Sequence, residues 1–357
     1  MRERIIMNLA RLKECMKRAE RGEHLTLGFL GGSITEGSLS SSPEMCYAYL
    51  VYKWWEKSFP KAEFSYVNGG IGGTTSHFGA ARAVPDVLMY QPDVVIVDFS
   101  VNDKANIFFR ETYEGLLRKI LDWPSRPAVI LLNNVYYDTG ESAQDEHNTV
   151  GNHYQLLHIS MRDTLYQDIL RGKYTREELT KDGLHPNDKG HRLVAGIITG
   201  VLEQVKALRN EPEEDYVMPE PLTENAYEKA RLLTAREISP ALSGFLEDAA
   251  EKTGHFKDGW IGRKAGDSIL FETEASCIAV QYRKTVKRPA LSAHLVLDGD
   301  EEHPLLLDGN FEEDWGDCFY LESVLHHGER KKHTVRITVS EGEAGAEAFY
   351  LLSLVVA

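Results

Sequence analysis

Leu25-Thr26-Leu27-Gly28-Phe29-Leu30, followed at once by Gly31-Gly32-Ser33-Ile34-Thr35, decides how this chain is read. The first six residues form a short apolar run that suits a β-strand. The two glycines then let the backbone turn sharply and present Ser33 directly after that strand. In a parallel α/β sheet, functional groups collect at the carboxyl ends of strands. Taken alone, the segment reads more readily as a plain Gly-Gly-Ser turn, so its neighbours have to decide.

Working outward, Tyr47, Leu50, Val51, Trp54 and Trp55 follow with helical spacing until Pro60. Phe64-Ser65-Tyr66-Val67, Val94-Val95-Ile96-Val97 and Val129-Ile130-Leu131-Leu132 supply three further strands. Upstream, Ile6, Leu9, Leu12 and Met16 recur every three or four residues and predict an amphipathic first helix. A last helix starts after Pro186, with Asn187 or Asp188 as N-cap and Leu193, Val194, Ile197, Val201, Leu202 and Val205 along one face. From residue 24 to about 208 short β-rich runs thus alternate with helical ones, the pattern of a parallel sheet covered by helices.

Asn210-Glu211-Pro212-Glu213-Glu214-Asp215 and Met218-Pro219-Glu220-Pro221 are charged and punctuated by proline, the composition of an exposed linker. The predicted organisation is a first domain over 1–210, a linker over 211–221 and a second domain over 222–357. In the last of these, alternating runs at Ile269 to Tyr282, Ala293 to Asp298 and His333 to Val339 are separated by Asp-Gly, Gly-Asp and His-Gly turns. They predict an antiparallel β-sandwich closed by Phe349 to Val356.

The 357 residues carry 40 Lys+Arg against 55 Asp+Glu, a formal charge of -15 that disfavours nucleic acid and anionic lipid and suits a neutral substrate. The basic residues among Met1 to Gly22 interrupt any signal-peptide core, and no stretch approaches a membrane span, so a cytoplasmic protein is expected. Cys15, Cys46, Cys277 and Cys318 lack zinc-site spacing and are read as reduced, structural thiols; His326-His327 sits beside a loop glycine, and no metal or other cofactor is expected.

Three more segments can carry chemistry. Asn68-Gly69-Gly70-Ile71-Gly72-Gly73-Thr74-Thr75 follows the second strand, where bare backbone N–H groups can approach a ligand. Thr75 stands where a dinucleotide fingerprint counted from Gly70 needs its last glycine, and no Walker lysine follows. Ser100-Val101-Asn102-Asp103 closes the third strand, where the Asn102 amide can donate to an oxyanion or simply form an Asx turn. Asp182-Gly183-Leu184-His185-Pro186 precedes the last helix, and its spacing lets the carboxylate reach one imidazole nitrogen while the other faces a nucleophile. By itself that pair is as readily a structural hydrogen bond.

Occurring in this order, the four segments together resemble the SGNH (GDSL-like) hydrolase superfamily. The resemblance covers roughly residues 24 to 207 and implies a flavodoxin-like three-layer α/β/α domain. It assigns Ser33 as nucleophile, His185 and Asp182 as its activating pair, and Ser33, Gly73 and Asn102 as the oxyanion hole. Gly32 stands where the name-giving motif has Asp, and Ser100 where Gly is usual; both bear on subfamily and substrate more than on mechanism. A literal Gly266-Asp267-Ser268 opens a β-run in the second domain and reads as a turn. The nucleophile elbow of α/β-hydrolases, G-x-S-x-G, is broken by Thr35.

The two-domain layout, with a jelly-roll sandwich after the catalytic half, resembles acetylesterases that deacetylate mannan-derived oligosaccharides. The resemblance implies an acetylated oligosaccharide as substrate, no nucleic acid or membrane partner, and at most further copies of the chain in a homo-oligomer. Trp260 and Trp315 are the candidate sugar-stacking residues, with a core tryptophan as the alternative for either. A lysophospholipase or thioesterase of the same fold, or a non-catalytic sugar-binding protein, are the competing readings.

Overall fold

The computed structural model describes residues 7–248 and 256–357, which fall into two compact units, Met1–Glu228 and Lys229–Ala357. Ile6, assigned above to the first helix, lies outside the described residues.

In the first unit α1 (Ala10–Glu20), β1 (Leu25–Gly31), a single turn α2 (Ser33–Glu36), α3 (Tyr47–Ser58), β2 (Phe64–Gly70) and α4 (Ser76–Asp86) come first. β3 (Val94–Asp98), α5 (Ile107–Leu121), β4 (Ala128–Asn133), α6 (Gln144–His153), β5 (Leu157–Ser160), α7 (Leu165–Leu170) and α8 (Asp188–Ala207) complete it. The five strands are parallel in the order β2-β1-β3-β4-β5, the flavodoxin-like arrangement expected. β1 is buried at every position because both faces are covered. Leu27, Phe29, Val94, Ile96, Ile130 and Leu132 point into one cluster with Met16 of α1, Trp55 of α3 and Ile198 of α8. Side chains alternate along a strand, so Leu30, Val95, Val97 and Leu131, also buried, face the opposite layer. There α5 packs between α4 and α6. β5, short and mixed in character, is the strand the sequence reading did not name. Among the described residues no helix is long and apolar enough to cross a membrane.

The chain leaves β1 for β2 on one side and returns to β3 on the other, which makes the carboxyl end of β1 the point where the strand order reverses. Gly31 pairs with Gly70 on one side and with Asp98 on the other, so three strands end level. The Asp98 carboxyl lies beneath the turn after β1, where it accepts from Thr35 Oγ1 at 3.2 Å and Asn134 Nδ2 at 2.8 Å. Burial raises it to about 7, and these hydrogen bonds pull the other way without prevailing.

The proline-punctuated segment after α8 corrects the predicted linker: it is a strap bound to the first unit. Glu213 accepts from Leu9 N at 2.5 Å and pairs with Lys13 at 2.6 Å, supplying the amino end of α1 with the acid it lacks. The Arg11 guanidinium stacks over Tyr216, 4.8 Å from its centroid. α5 takes up the rest. Glu111 accepts from Ala226 N at 2.9 Å, and Arg118 donates to Pro219 O and Glu228, both at 2.9 Å. Glu114 accepts from Leu222 N at 2.5 Å, Thr223 N at 2.7 Å, Tyr154 OH at 2.5 Å and the Thr223 hydroxyl. Composition read the segment as an exposed linker; Glu211, Glu214 and Asp215 are exposed, but buried carboxylates on α5 satisfy part of the strap's backbone. The unit boundary therefore falls after Glu228, not near 221.

The second unit contains β6 (Arg231–Leu233), β7 (Ala241–Ser243), β8 (Leu246–Glu247), β9 (Trp260–Gly262), β10 (Ser268–Ala275) and β11 (Ile278–Lys284). β12 (Ala293–Leu297), β13 (Leu305–Leu307), β14 (Cys318–Leu325), β15 (Lys331–Val339) and β16 (Phe349–Val356) follow. One antiparallel sheet runs β13-β12-β15-β10-β7; the other runs β14-β11-β16-β9-β8, with β6 also on β16. Phe271, Leu295 and Ile337 of the first share a core with Trp260, Val280 and Leu351 of the second, making a sandwich. The predicted run Ile269 to Tyr282 is two strands. It breaks at Ser276-Cys277, where the chain passes from one sheet to the other.

Two outcomes follow from these buried carboxyls. Glu114→Ala strands four donors at once and lowers stability by about 3 kcal/mol in urea unfolding. Asp98, raised above its ordinary value of 3.8, contributes stability that is complete below that value and lost as pH rises through about 7. Asp98→Asn therefore flattens the fall in thermal midpoint between about pH 4 and 8.

Candidate active site

Ser33 opens α2 immediately after Gly32, and its side chain is 7% exposed. The first turn of a helix leaves its N–H groups without intrahelical acceptors. Among the described residues nothing accepts from Ser33 N, and nothing accepts from Gly73 N. Gly73 lies in the loop after β2, exposed and with φ +68°. The preceding residue lies against the serine: a Cβ on Gly72 would stand 3.7 Å from Ser33 Cβ. From the loop after β3 comes Asn102, half-buried, whose amide sits so close to the turn presenting Ser33 that a Cβ on Gly32 would meet Asn102 Oδ1 at 2.3 Å. That approach requires glycine at 32, and it explains why the acid of the name-giving motif has no room there.

The fourth segment arrives from far along the chain. His185 Nε2 lies 2.7 Å from Ser33 Oγ, and His185 Nδ1 lies 2.6 Å from Asp182 Oδ2. The other Asp182 oxygen accepts from Leu184 N at 3.0 Å, His185 N at 2.8 Å and Thr180 Oγ1 at 3.1 Å. Burial would raise the Asp182 carboxyl, but the His185 ring and the two amides outweigh it and hold it at about 2. The carboxylate is thus ionised throughout the neutral range and orients the ring. Gly183 makes the turn possible with φ +81°, and a Cβ there would stand 2.1 Å from the Asp138 carboxylate. Asn187, as predicted, caps α8 directly behind the histidine, accepting from Lys189 N and Gly190 N.

Ser33, Gly73, Asn102, Asp182 and His185 are therefore brought to one carboxyl edge of the parallel sheet. The two tryptophans are not alike. Trp260 is a correction: it is fully buried at the start of β9, edge-on to Phe271 at 5.1 Å, so its faces belong to the sandwich core and no sugar ring reaches them. Trp315 is 56% exposed, braced edge-on by Phe311 at 4.9 Å and donating to Glu313 at 2.5 Å.

Sequence reasoning missed the residues that hold these loops. The Arg82 guanidinium, 1% exposed, donates to Gly69 O at 2.5 Å, Gly31 O at 2.8 Å and Thr74 Oγ1 at 3.1 Å, and so ties the ends of β1 and β2 to the glycine loop. An arginine amid the small and apolar residues of α4 was the available signal. Asp98 and Glu36 carried none beyond their positions at a strand end and one turn after the serine.

A model of the GDSL-like lipase/acylhydrolase family matches residues 29–193. A two-domain esterase active on acetylated mannans, crystallised with mannopentaose, is 48% identical over 99% of this chain and 96% of its own, with a TM-score of 0.95. A second crystal structure of such an esterase gives 47% identity, the same coverage and the same TM-score. The thioesterase 1/protease 1/lysophospholipase L1 of Escherichia coli K12 is 35% identical over 96 residues; the match spans 27% of this chain and 43% of that protein. A family match that runs from β1 into α8, joined to 48% identity over nearly the full length of a solved esterase, makes this chain a member of the GDSL-like lipase/acylhydrolase family.

Proposed function

We propose that the protein is a serine esterase that removes O-acetyl groups from mannan-derived oligosaccharides through an acetyl-enzyme on Ser33. The observation that carries this is the unbroken line from Asp182 through His185 to Ser33, with contacts of 2.6 and 2.7 Å. The likeness to esterases active on acetylated mannans supports the choice of substrate.

His185 Nε2 takes the Ser33 proton as Oγ bonds to the acetyl carbon, and the carbonyl electron pair moves onto its oxygen. The N–H groups of Ser33 and Gly73 and the Asn102 amide stabilise that oxyanion. Its collapse breaks the bond to the sugar oxygen, which leaves with the proton from His185. A water then gives its proton to His185 and attacks the acetyl carbon. Collapse of this second intermediate breaks the bond between the acetyl carbon and Ser33 Oγ, which takes the proton back from His185, and acetic acid departs to ionise in solvent. Asp182 keeps its charge and its hold on Nδ1 throughout. The four cysteines are buried free thiols, which supports work in a reducing compartment such as the cytoplasm.

Ser33→Ala lowers turnover of an acetylated mannan oligosaccharide by about a millionfold, and Asn102→Ala by about a hundred- to a thousandfold. Acetate release measures both, and wild-type turnover in both variants would refute the assignment. The E. coli relative raises a thioesterase or lysophospholipase reading, which predicts rising activity from acetyl to decanoyl esters. An acetylesterase falls steeply along that series instead.

Trp315 is the proposed sugar platform, since its exposed indole is held in place by Phe311 and Glu313. Trp315→Ala should raise KM for the oligosaccharide while leaving hydrolysis of a small aryl acetate intact. Equal effects on the two substrates, or none, count against it.

A further inference from the structure

The loop over residues 71–76 carries the Gly73 N–H, and both ends of it are held by carboxylates from two of the other three segments, those of Ser33 and Asn102. At its start, Gly72 N donates to Glu36 Oε2 at 2.8 Å, and Glu36 closes the helical turn that Ser33 opens. At its end, Ser76 N donates to Asp103 Oδ1 at 2.8 Å, and Asp103 directly follows Asn102. The second Asp103 oxygen lies 3.0 Å from His147 Nε2, both groups being fully buried, and the His147 ring stacks on Tyr113 with centroids 3.7 Å apart. Between the two clamps Thr74 Oγ1 donates to Ile71 O at 2.7 Å.

We propose that Glu36 is a positioning residue for the reaction: by holding the Gly72 N–H, its carboxylate sets the place of the neighbouring Gly73 N–H relative to Ser33. The inference rests on the acyl-transfer reading above. A hydrogen bond to a carboxylate is short and directional, and its anchor is the same single turn that carries the nucleophile. Nucleophile and oxyanion donor therefore move as one body, and the donor needs no reorganisation when charge develops. The Asp103 clamp is buried and braced by an imidazole. The Glu36 clamp stands at the solvent-exposed side of the loop, where one hydrogen bond adds little to global stability. Its loss should be felt in turnover.

The experiment compares Glu36→Ala and Glu36→Gln in the full chain with a small aryl acetate. Displacing a donor costs less than deleting one, so Glu36→Ala should lower kcat by about tenfold with KM and the thermal midpoint unmoved. Glu36→Gln, whose amide oxygen accepts the same bond, should recover most of that loss. A small alkylboronic acid, whose tetrahedral adduct on Ser33 places an oxygen where the oxyanion forms, should inhibit Glu36→Ala more weakly by a similar factor. Wild-type kcat in Glu36→Ala overturns the proposal, as does a kcat loss without weaker boronic acid inhibition, or a Gln variant as slow as the Ala variant. Ser33→Ala separates the two levels. Full turnover there removes the acyl-transfer reading itself, whereas an inactive Ser33→Ala beside an unaffected Glu36→Ala removes only the clamp.

Discussion

Three parallel strands that end level are the constraint on which the first unit's chemistry depends. Gly31 of β1 stands between Gly70 of β2 and Asp98 of β3, so the loops carrying Ser33, Gly73 and Asn102 leave the sheet from one line. Backbone hydrogen bonding sets that register, and the covering of both faces by helices keeps it, since a slipped strand would exchange one buried face for the other. No single contact at the site could substitute for it. Displacing β2 by one residue would carry the glycine loop a full strand rise away from the serine.

On that base the structure adds restraints that share components. Arg82 joins the carbonyls at the ends of β1 and β2 to the glycine loop. Asp98 holds Thr35 beneath the turn that presents Ser33. Asp182 spends one oxygen on the imidazole and the other on the backbone of its own turn, so the group that orients the ring is itself oriented. A preorganised site of this kind requires each member to be held by a neighbour that is already fixed. Here those neighbours are a strand end, a helix amino end and a buried guanidinium.

The segment after α8 illustrates the limits of composition as a guide. Its acids and prolines have the character of a solvated tether, yet Glu213 serves α1, and α5 offers three charged groups to the strap's backbone and to Glu228. A segment rich in proline has few backbone donors to satisfy, and the donors that remain here meet carboxylates. The outcome is a catalytic unit whose chain extends well beyond its last helix.

The sequence by itself determined the fold class, four of the five parallel strands, the closing strand Phe349–Val356 and the residues assembled at the site. It could do so because hydrophobic period, glycine clusters at strand ends and a DxxH before a capped helix are local signals, written within a few residues of one another. Only the tertiary structure decided that Trp260 is a core residue and Trp315 an exposed one, that Ile269 to Tyr282 divides between two sheets, and that residues 211–228 belong to the first unit. It alone showed that Glu36, Arg82, Asp98 and Asp103 hold the strand ends and loops around Ser33 and Gly73. Most of their partners lie tens of residues away, and an isolated charge in a sequence does not reveal whether a distant backbone group or solvent will satisfy it.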